Sequence, residues 1–304
     1  LNGVSDSCII KVPKGYVNTY KNAEGWKKFI NIIDEIPSTF TYSGINYNVL
    51  SFADRTVEVG KNSNASGAIT IPSSVAYNGF TFNVVAVGDY AFDRNKNITS
   101  VRLPNNIKKV GFIAFQTLRI QMQLPTGLEV AGRSAFTYNK FADLRLPVGL
   151  KELRESSFGY TTVTSKRAYI PNTVIAIIGN PFYGSSLESI EVASDNPNYK
   201  SINGVLFNKN GSKILVYPAE KPSSSYSIPS GVRTIGKNSF ENNRNLTELS
   251  IPATVEQLDS CALWYCPSLR QITISATTPP KVLDKALNGV SDSCIIKVPK
   301  GYVN

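Results

Sequence analysis

One spacing recurs along this chain: a proline, and eleven residues later an aromatic side chain. Pro104 leads to Phe115, Pro125 to Phe136, Pro147 to Phe158, Pro171 to Phe182 and Pro229 to Phe240, while Pro252 reaches Leu263 with Trp264 beside it. The residue before each of these is small or compact: Ala114, Ala135, Ser157, Pro181, Ser239 and Ala262. Apolar residues also stand three and six positions after each proline, as at Ile107 and Val110, Leu128 and Ala131, Leu150 and Leu153, Val174 and Ile177, Val232 and Ile235, and Val255 and Leu258. Successive prolines are 21, 22 and 24 residues apart through Pro171, and 23 from Pro229 to Pro252. A period in this range, with fixed apolar positions, predicts coils that bury their hydrophobic edges only by stacking. The fold expected is therefore a mainly β solenoid of short parallel strands, turns and short helical pieces. A solenoid grows by adding coils, so 304 residues need not be split into globular domains.

Residues ahead of the prolines alternate, as in Val101-Arg102-Leu103, Met122-Gln123-Leu124, Leu144-Arg145-Leu146 and Leu249-Ser250-Ile251. Alternation predicts strands with one buried and one wet face, and proline ends each where its missing N–H costs least. Stacked coils would join these strands into one parallel sheet. Gly111, Gly132 and Gly236 share one repeat position, with Gly179 one residue later, which suits a tight bend or a positive φ. Arg154 and Asp259 hold that position in other copies, so glycine is not strictly required.

Leu or Ile, then Pro, two aliphatics at fixed intervals and finally Ala-Phe or Ser-Phe resembles the BspA-like leucine-rich repeat, over about residues 39–304. Asn196-Pro197-Asn198-Tyr199 through Gly204-Val205-Leu206-Phe207 to Pro218 resembles that family's expanded, hairpin-bearing repeat. Val12-Pro13-Lys14-Gly15, Tyr20 and Trp26-Lys27-Lys28-Phe29 resemble its closing cap. The resemblance implies a leucine-rich-repeat array in a secreted or cell-surface protein that adheres to extracellular-matrix or plasma proteins, or to other microbes. Proline follows the strand where better-known leucine-rich repeats place an asparagine, so no asparagine ladder is expected there.

Residues 1–18 reappear unchanged as residues 287–304. Residues 1–38 therefore read as the cap-like end of a preceding unit, and 39–304 as the array. Trp26, Phe29 or Ile30, and Ile33 have helical spacing, which reads as a hydrophobic lid or, alternatively, a partner-binding helix. The final copy stops before the counterpart of Trp26–Phe29. Residues 1–38 are thus expected to pack on the start of their own array, or to cover the last coil of another molecule head to tail.

Enzyme readings find little footing. With no histidine, Ser-His-Asp and Cys-His arrangements and His-ligated metals are excluded. Cys8 and Cys294 are copies of one residue, which argues against a four-cysteine zinc site. Cys261 and Cys266 could bridge or, the favoured reading, fill two coil positions. The segment from Gly231 to Gly236-Lys237-Asn238 matches a phosphate-binding loop except at Asn238, but Gly236 is already explained by the repeat. No pair of carboxylates stands out at related positions, as glycoside hydrolysis would require. Neither catalytic residue, cofactor nor metal is expected. Asn64, Asn97, Asn210 and Asn245 begin Asn-X-Ser/Thr sequons, which matter only in a host that glycosylates them.

What remains is a binding surface. The net charge of +10 (32 Lys and Arg less 22 Asp and Glu) is scattered and accompanies no nucleic-acid motif. Acidic glycans or anionic proteins suit it at least as well. No apolar run approaches the roughly 18 residues of a membrane span. Counting back four and two from each proline gives the wet positions Ser100 and Arg102, Gln121 and Gln123, Asp143 and Arg145, Arg167 and Tyr169. Arg102, Gln121, Gln123, Arg145, Arg167 and Tyr169 are the expected binding residues, since arginine and tyrosine recur at binding hot spots. Arg102, Gln123, Arg145 and Tyr169 should form one continuous row, whereas Ser227, Ser250 and Thr273 further along are small and neutral. A structural spacer projecting tandem units is the alternative.

Overall fold

A computed structural model describes residues 3–12, 15–34 and 38–301. The coils stack as the spacing requires. Phe92, Phe115, Phe136, Phe158 and Phe182 are buried in file. Their rings lie 5.5, 5.8, 5.2 and 6.0 Å apart within 26° of parallel. Burial of each contributes about 1.5–3 kcal/mol, and ring contact adds ~0.5–1.5 kcal/mol per pair. Backbone bonds tie coil to coil at the same place: Phe115 N–H donates to Ala135 O at 2.9 Å, and Phe136 N–H to Ser157 O at 2.9 Å.

The strands ahead of the prolines form, but in three separate parallel sheets. Gly67–Thr70 pairs with Ile98–Arg102; Leu144–Arg145, Arg167–Ile170 and Ser189–Val192 make a second sheet; Ser225–Ser227, Glu248–Ile251, Gln271–Ile274 and Ile295–Lys297 make the third. The continuous sheet expected from the alternation is broken at residues 121–124. There Gln121 forms a lone bridge to Lys140 rather than aligning with Asp143. The break coincides with a shorter connection: Pro125 stands ten positions after Phe115, against twelve from Phe92 to Pro104 and eleven from Phe136 to Pro147.

A second set of ladders, not anticipated from the sequence, runs along the positions five and six after each proline. Lys109–Val110, Val130–Ala131, Glu152–Leu153 and Ala176–Ile177 pair in parallel. Thr234–Ile235, Gln257–Leu258 and Lys281–Val282 continue the pattern. Each strand has two residues, too short for alternation to register. One position before them, Lys108 and Lys151 lie 3.1 and 2.6 Å from the Glu129 carboxylate and hold it below the usual carboxylate range, Lys151 more strongly.

Asn203-Gly204 turns at φ 51° and 78°, as a tight hairpin demands, and joins Tyr199–Ile202 to Val205–Asn208. This hairpin divides the interior. Leu206 and Val216 join the core that contains Phe92 to Phe182, while Val205, Phe207 and Ile214 join the core around Phe240.

The glycines answer to a different need from the one expected. Gly111, Gly132 and Gly236 do not have positive φ. A Cβ on Gly132 would lie 2.6 Å from Val110 O, and one on Gly236 2.4 Å from Ile214 O. Close approach of the preceding coil excludes a side chain there, and Gly179 alone of the four has φ +74°. Positive φ falls two residues later, at Ile113, Ser134, Ser156, Asn238 and Cys261.

Before the array, the helix expected over Trp26, Phe29 or Ile30, and Ile33 is not formed. The helix is Val17–Asn22, Gly25 turns at φ +82°, and Asn31–Asp34 is a strand paired in parallel with Ile9–Val12. The ladder gives Ile32 and Ile33 backbone partners while burying them. Val12, Phe29 and Ile32 form a small core with Tyr20 and Trp26 around it. Ile33 enters the main core, Ile9 packs against it, and Lys11 Nζ sits 4.9 Å from the Phe52 ring centre. The segment therefore rests on the start of its own array. Pro13 and Lys14 of the cap-like motif, and 302–304 of the second copy, lie outside the described residues.

Candidate functional site

Alternation alone determines which side chains the strand face offers. Ala168 and Ile170 are buried and Arg167 is exposed; Leu144 is buried and Arg145 exposed; Val101 is buried and Arg102 exposed. Gln121 and Gln123 are exposed around buried Met122, and Tyr169 is half-buried. All six expected residues thus reach the strand face. The continuous row does not form: Arg102 belongs to one sheet, Arg145 and Tyr169 to the next, and the two glutamines occupy the break between them.

That break creates relief. One hollow of about 690 Å³ is lined by Thr70, Arg102, Asn105, Gln121 and Gln123. Its neighbour, about 550 Å³, is lined by Gln121, Gln123, Asp143, Arg145, Val148 and Tyr169. Both glutamines and Leu124 line both hollows, so five of the six expected residues surround one two-part depression. Such volumes fall in the range of ligand sites.

Within it, Arg145 and Tyr169 are register partners, and the guanidinium lies 4.6 Å from the ring centre. Stacking of this kind contributes ~0.5–1 kcal/mol when exposed and leaves the guanidinium N–H edge open. Arg102 makes no ion pair among the described residues. Arg167 differs: it lies outside both hollows, and its Nη1 is 3.7 Å from Glu191 Oε1. Asp143 accepts a hydrogen bond from Ser165 Oγ at 3.0 Å. The depression can therefore take a partner that offers carboxylates or carbonyls to Arg102 and Arg145 and an apolar group to Val148 and Tyr169.

Val148 was not singled out from the sequence. It is 78% exposed, and its signal was visible: the residue after the repeat proline is Asn105, Thr126, Asn172, Ser230 or the small Ala253 elsewhere. Across the coil, a file three residues after each phenylalanine was also missed. Asn95, Asn139 and Asn243 are buried there and donate to carbonyls of the preceding coil, Asn139 Nδ2 to Phe115 O at 2.7 Å. Leu118, Thr161 and Ser185 hold the same position in coils between them, so these asparagines tie single coils to their predecessors and form no continuous ladder. Cys266 takes this position in its own coil, with Sγ 3.2 Å from Phe240 O and its thiol pushed up to about 12 by burial. Cys261 is half-buried, and neither is bonded. In Gly236-Lys237-Asn238, Lys237 is paired with Glu155 at 2.8 Å.

Among the described residues, no helix is long and apolar enough to cross a membrane. The family described as a BspA type leucine rich repeat region matches residues 85–213 and 219–302, in 6 copies. Among solved structures, the pneumococcal vaccine antigen PcpA aligns with TM-score 0.59 at 18% identity, covering 88% of this chain and 89% of that one. A leucine-rich repeat protein of Eubacterium ventriosum aligns with TM-score 0.58 at 24% identity, covering 84% and 78%. A leucine rich cell surface protein of Faecalibacterium prausnitzii aligns with TM-score 0.50 at 18% identity, covering 88% and 97%. At these identities the likeness is one of fold. No curated protein matches the chain.

Proposed function

We propose, from the premise that this chain belongs to the BspA-type leucine-rich-repeat family, that it is a non-enzymatic extracellular protein whose strand face adheres to a macromolecular partner. The observation carrying this reading is the two-part depression where Arg102, Gln121, Gln123, Arg145 and Tyr169 converge. Basic charge without an ion-pair partner, a stacked tyrosine and an exposed valine in one recess are the ingredients of a protein-binding hot spot. Extracellular-matrix or plasma proteins and acidic glycans all present matching negative groups. The Faecalibacterium prausnitzii relative is described as a cell surface protein, which supports an extracellular location here.

The test is a binding screen of the full chain against matrix proteins, plasma proteins and acidic glycans. The double substitution Arg102→Ala with Arg145→Ala should weaken binding by about ten-fold or more and reduce its salt dependence. Both side chains are exposed, so the melting temperature should stay within about 2 °C. Undiminished binding by the double variant removes this face from consideration. A chain that binds none of these partners is better read as a spacer.

A further inference from the structure

The repeat that carries the hairpin is cut short on its far side. Ile214 is the ladder partner of Ile235, and Tyr217 N–H donates to Ser239 O just as Phe240 N–H donates to Ala262 O. Tyr217 therefore occupies the phenylalanine position, and its ring lies 4.7 Å from that of Phe240. Two residues lie between Ile214 and Tyr217, whereas four lie between Ile235 and Phe240 and between Val110 and Phe115. The outward turn its neighbours possess is missing from this coil. The coils on either side partly close over the gap, with Asn180 Nδ2 donating to Asn238 O at 2.8 Å and Lys237 reaching Glu155.

What the missing turn leaves is a hollow of about 390 Å³ lined by Tyr160, Tyr183, Glu241, Arg244, Trp264 and Tyr265, together with Asn242. A second hollow of about 530 Å³ shares Tyr160, Asn242 and Arg244 with it. The first is aromatic on two sides. Tyr160 stacks on Tyr138 at 4.8 Å and meets Tyr183 edge-on at 4.7 Å, while Trp264 and Tyr265 are 41% and 52% exposed. Glu241 is only 7% exposed, and its Oε2 is buried without a hydrogen-bond partner. Ser185, lining the second hollow and 1% exposed, likewise has an unpartnered Oγ. Arg244 forms no ion pair among the described residues. Buried polar atoms rarely go unpaired, and here two of them line adjoining hollows.

The geometry points to a sugar-binding site in this gap, separate from the strand face. A sugar ring has an apolar C–H face that lies against aromatic rings, and an equatorial rim of hydroxyls that bond carboxylate and amide groups. Tyr160, Tyr183, Trp264 and Tyr265 supply the faces; Glu241, Asn242 and Ser185 supply the rim. A nucleotide would also stack, but its phosphate would meet the Glu241 carboxyl, with Arg244 the one cation lining either hollow. Arg244 is the group that would receive the charge of a carboxylated sugar, although Glu188 and Glu220 also line the second hollow.

Calorimetric titration of the full chain with two oligosaccharide sets, neutral hexose and N-acetylhexosamine on one side and uronic- or sialic-acid-bearing on the other, tests the assignment. Saturable binding is expected in at least one set. Trp264→Ala should weaken it about ten-fold or more, Glu241→Gln by several-fold, and Trp264→Phe should retain most of it. The Arg102→Ala, Arg145→Ala pair should leave it unchanged. If Arg244→Ala removes a preference for acidic sugars, the ligand is carboxylated; if affinity is indifferent to Arg244, it is neutral. No saturable binding in either set, or binding unaltered by both Trp264→Ala and Glu241→Gln, overturns the proposal, as does saturable binding of nucleotides alone.

Discussion

Glu241 shows how a single residue escapes its sequence context. Nothing in Phe240-Glu241-Asn242 distinguishes this carboxylate from a solvated one, yet burial, with Glu155 adding repulsion and Lys237 partly opposing it, pushes its carboxyl up to about 7. The folded state thus holds a proton that the unfolded chain releases at its ordinary 4.5. Stability from this group is fully present below that unfolded value and is lost as pH rises through about 7. Above that, the buried charge should cost about 1–3 kcal/mol. Glu241→Gln should flatten this dependence, raising the midpoint of denaturant unfolding at about pH 8 while changing it little at about pH 4.5. Parallel pH profiles for the two proteins would show that Glu241 is solvated after all. The glycines teach the same lesson. Their shared position was legible, but close approach of a neighbouring coil, and not φ, turned out to demand them.

Elements divide by length. Strands of four or five residues, such as Ile98–Arg102 and Glu248–Ile251, announce themselves by alternation and a terminal proline. Two-residue strands such as Glu152–Leu153 cannot, because their pairing comes from the adjacent coil and not from a local pattern. The buried asparagines are a related case: a polar residue three after the aromatic looks like a surface loop until stacking encloses it. Asn139 illustrates the energetics, since its amide donates to Phe115 O at 2.7 Å and Phe136 O at 3.1 Å, and its Oδ1 accepts from Ile120 N–H at 3.3 Å. Truncation orphans these backbone groups in the interior. Asn139→Ala should therefore lower unfolding free energy by about 2–4 kcal/mol, measured by chemical denaturation. A loss below about 0.5 kcal/mol would mean that water replaces the amide freely.

For the molecule as a whole, the duplicated segment has two fates. In the first copy, Ile10 and Lys11 pair with Ile32 and Ile33 of a following strand. In the second, Ile295–Lys297 is the edge strand of its sheet among the described residues, with Ile295 and Ile296 59% and 52% exposed. Unpaired strand edges with exposed apolar residues invite association. Residues 3–34 already rest on the start of their own array, so we propose head-to-tail contact with another molecule only as an addition to that packing, through the edge of Ile295–Lys297, and such a contact need not close. Deleting residues 1–38 should lower the mass seen by light scattering, and Ile296→Lys should do so with the first copy intact. An intact protein that stays monomeric at high concentration, or a truncated one that associates as before, would rule this arrangement out.

Periodicity determined the solenoid, the inward file of phenylalanines and the outward direction of Arg102, Gln121, Gln123, Arg145, Arg167 and Tyr169, because each follows from spacing along one chain. The hollows were decided only by tertiary structure. One lies where the segment at residues 121–124 leaves the parallel sheets on either side, and another where a coil loses its outward turn to a hairpin. Both are mismatches between adjacent coils. A repeat pattern records what the coils share, whereas the shape of a surface depends on how they differ when they touch.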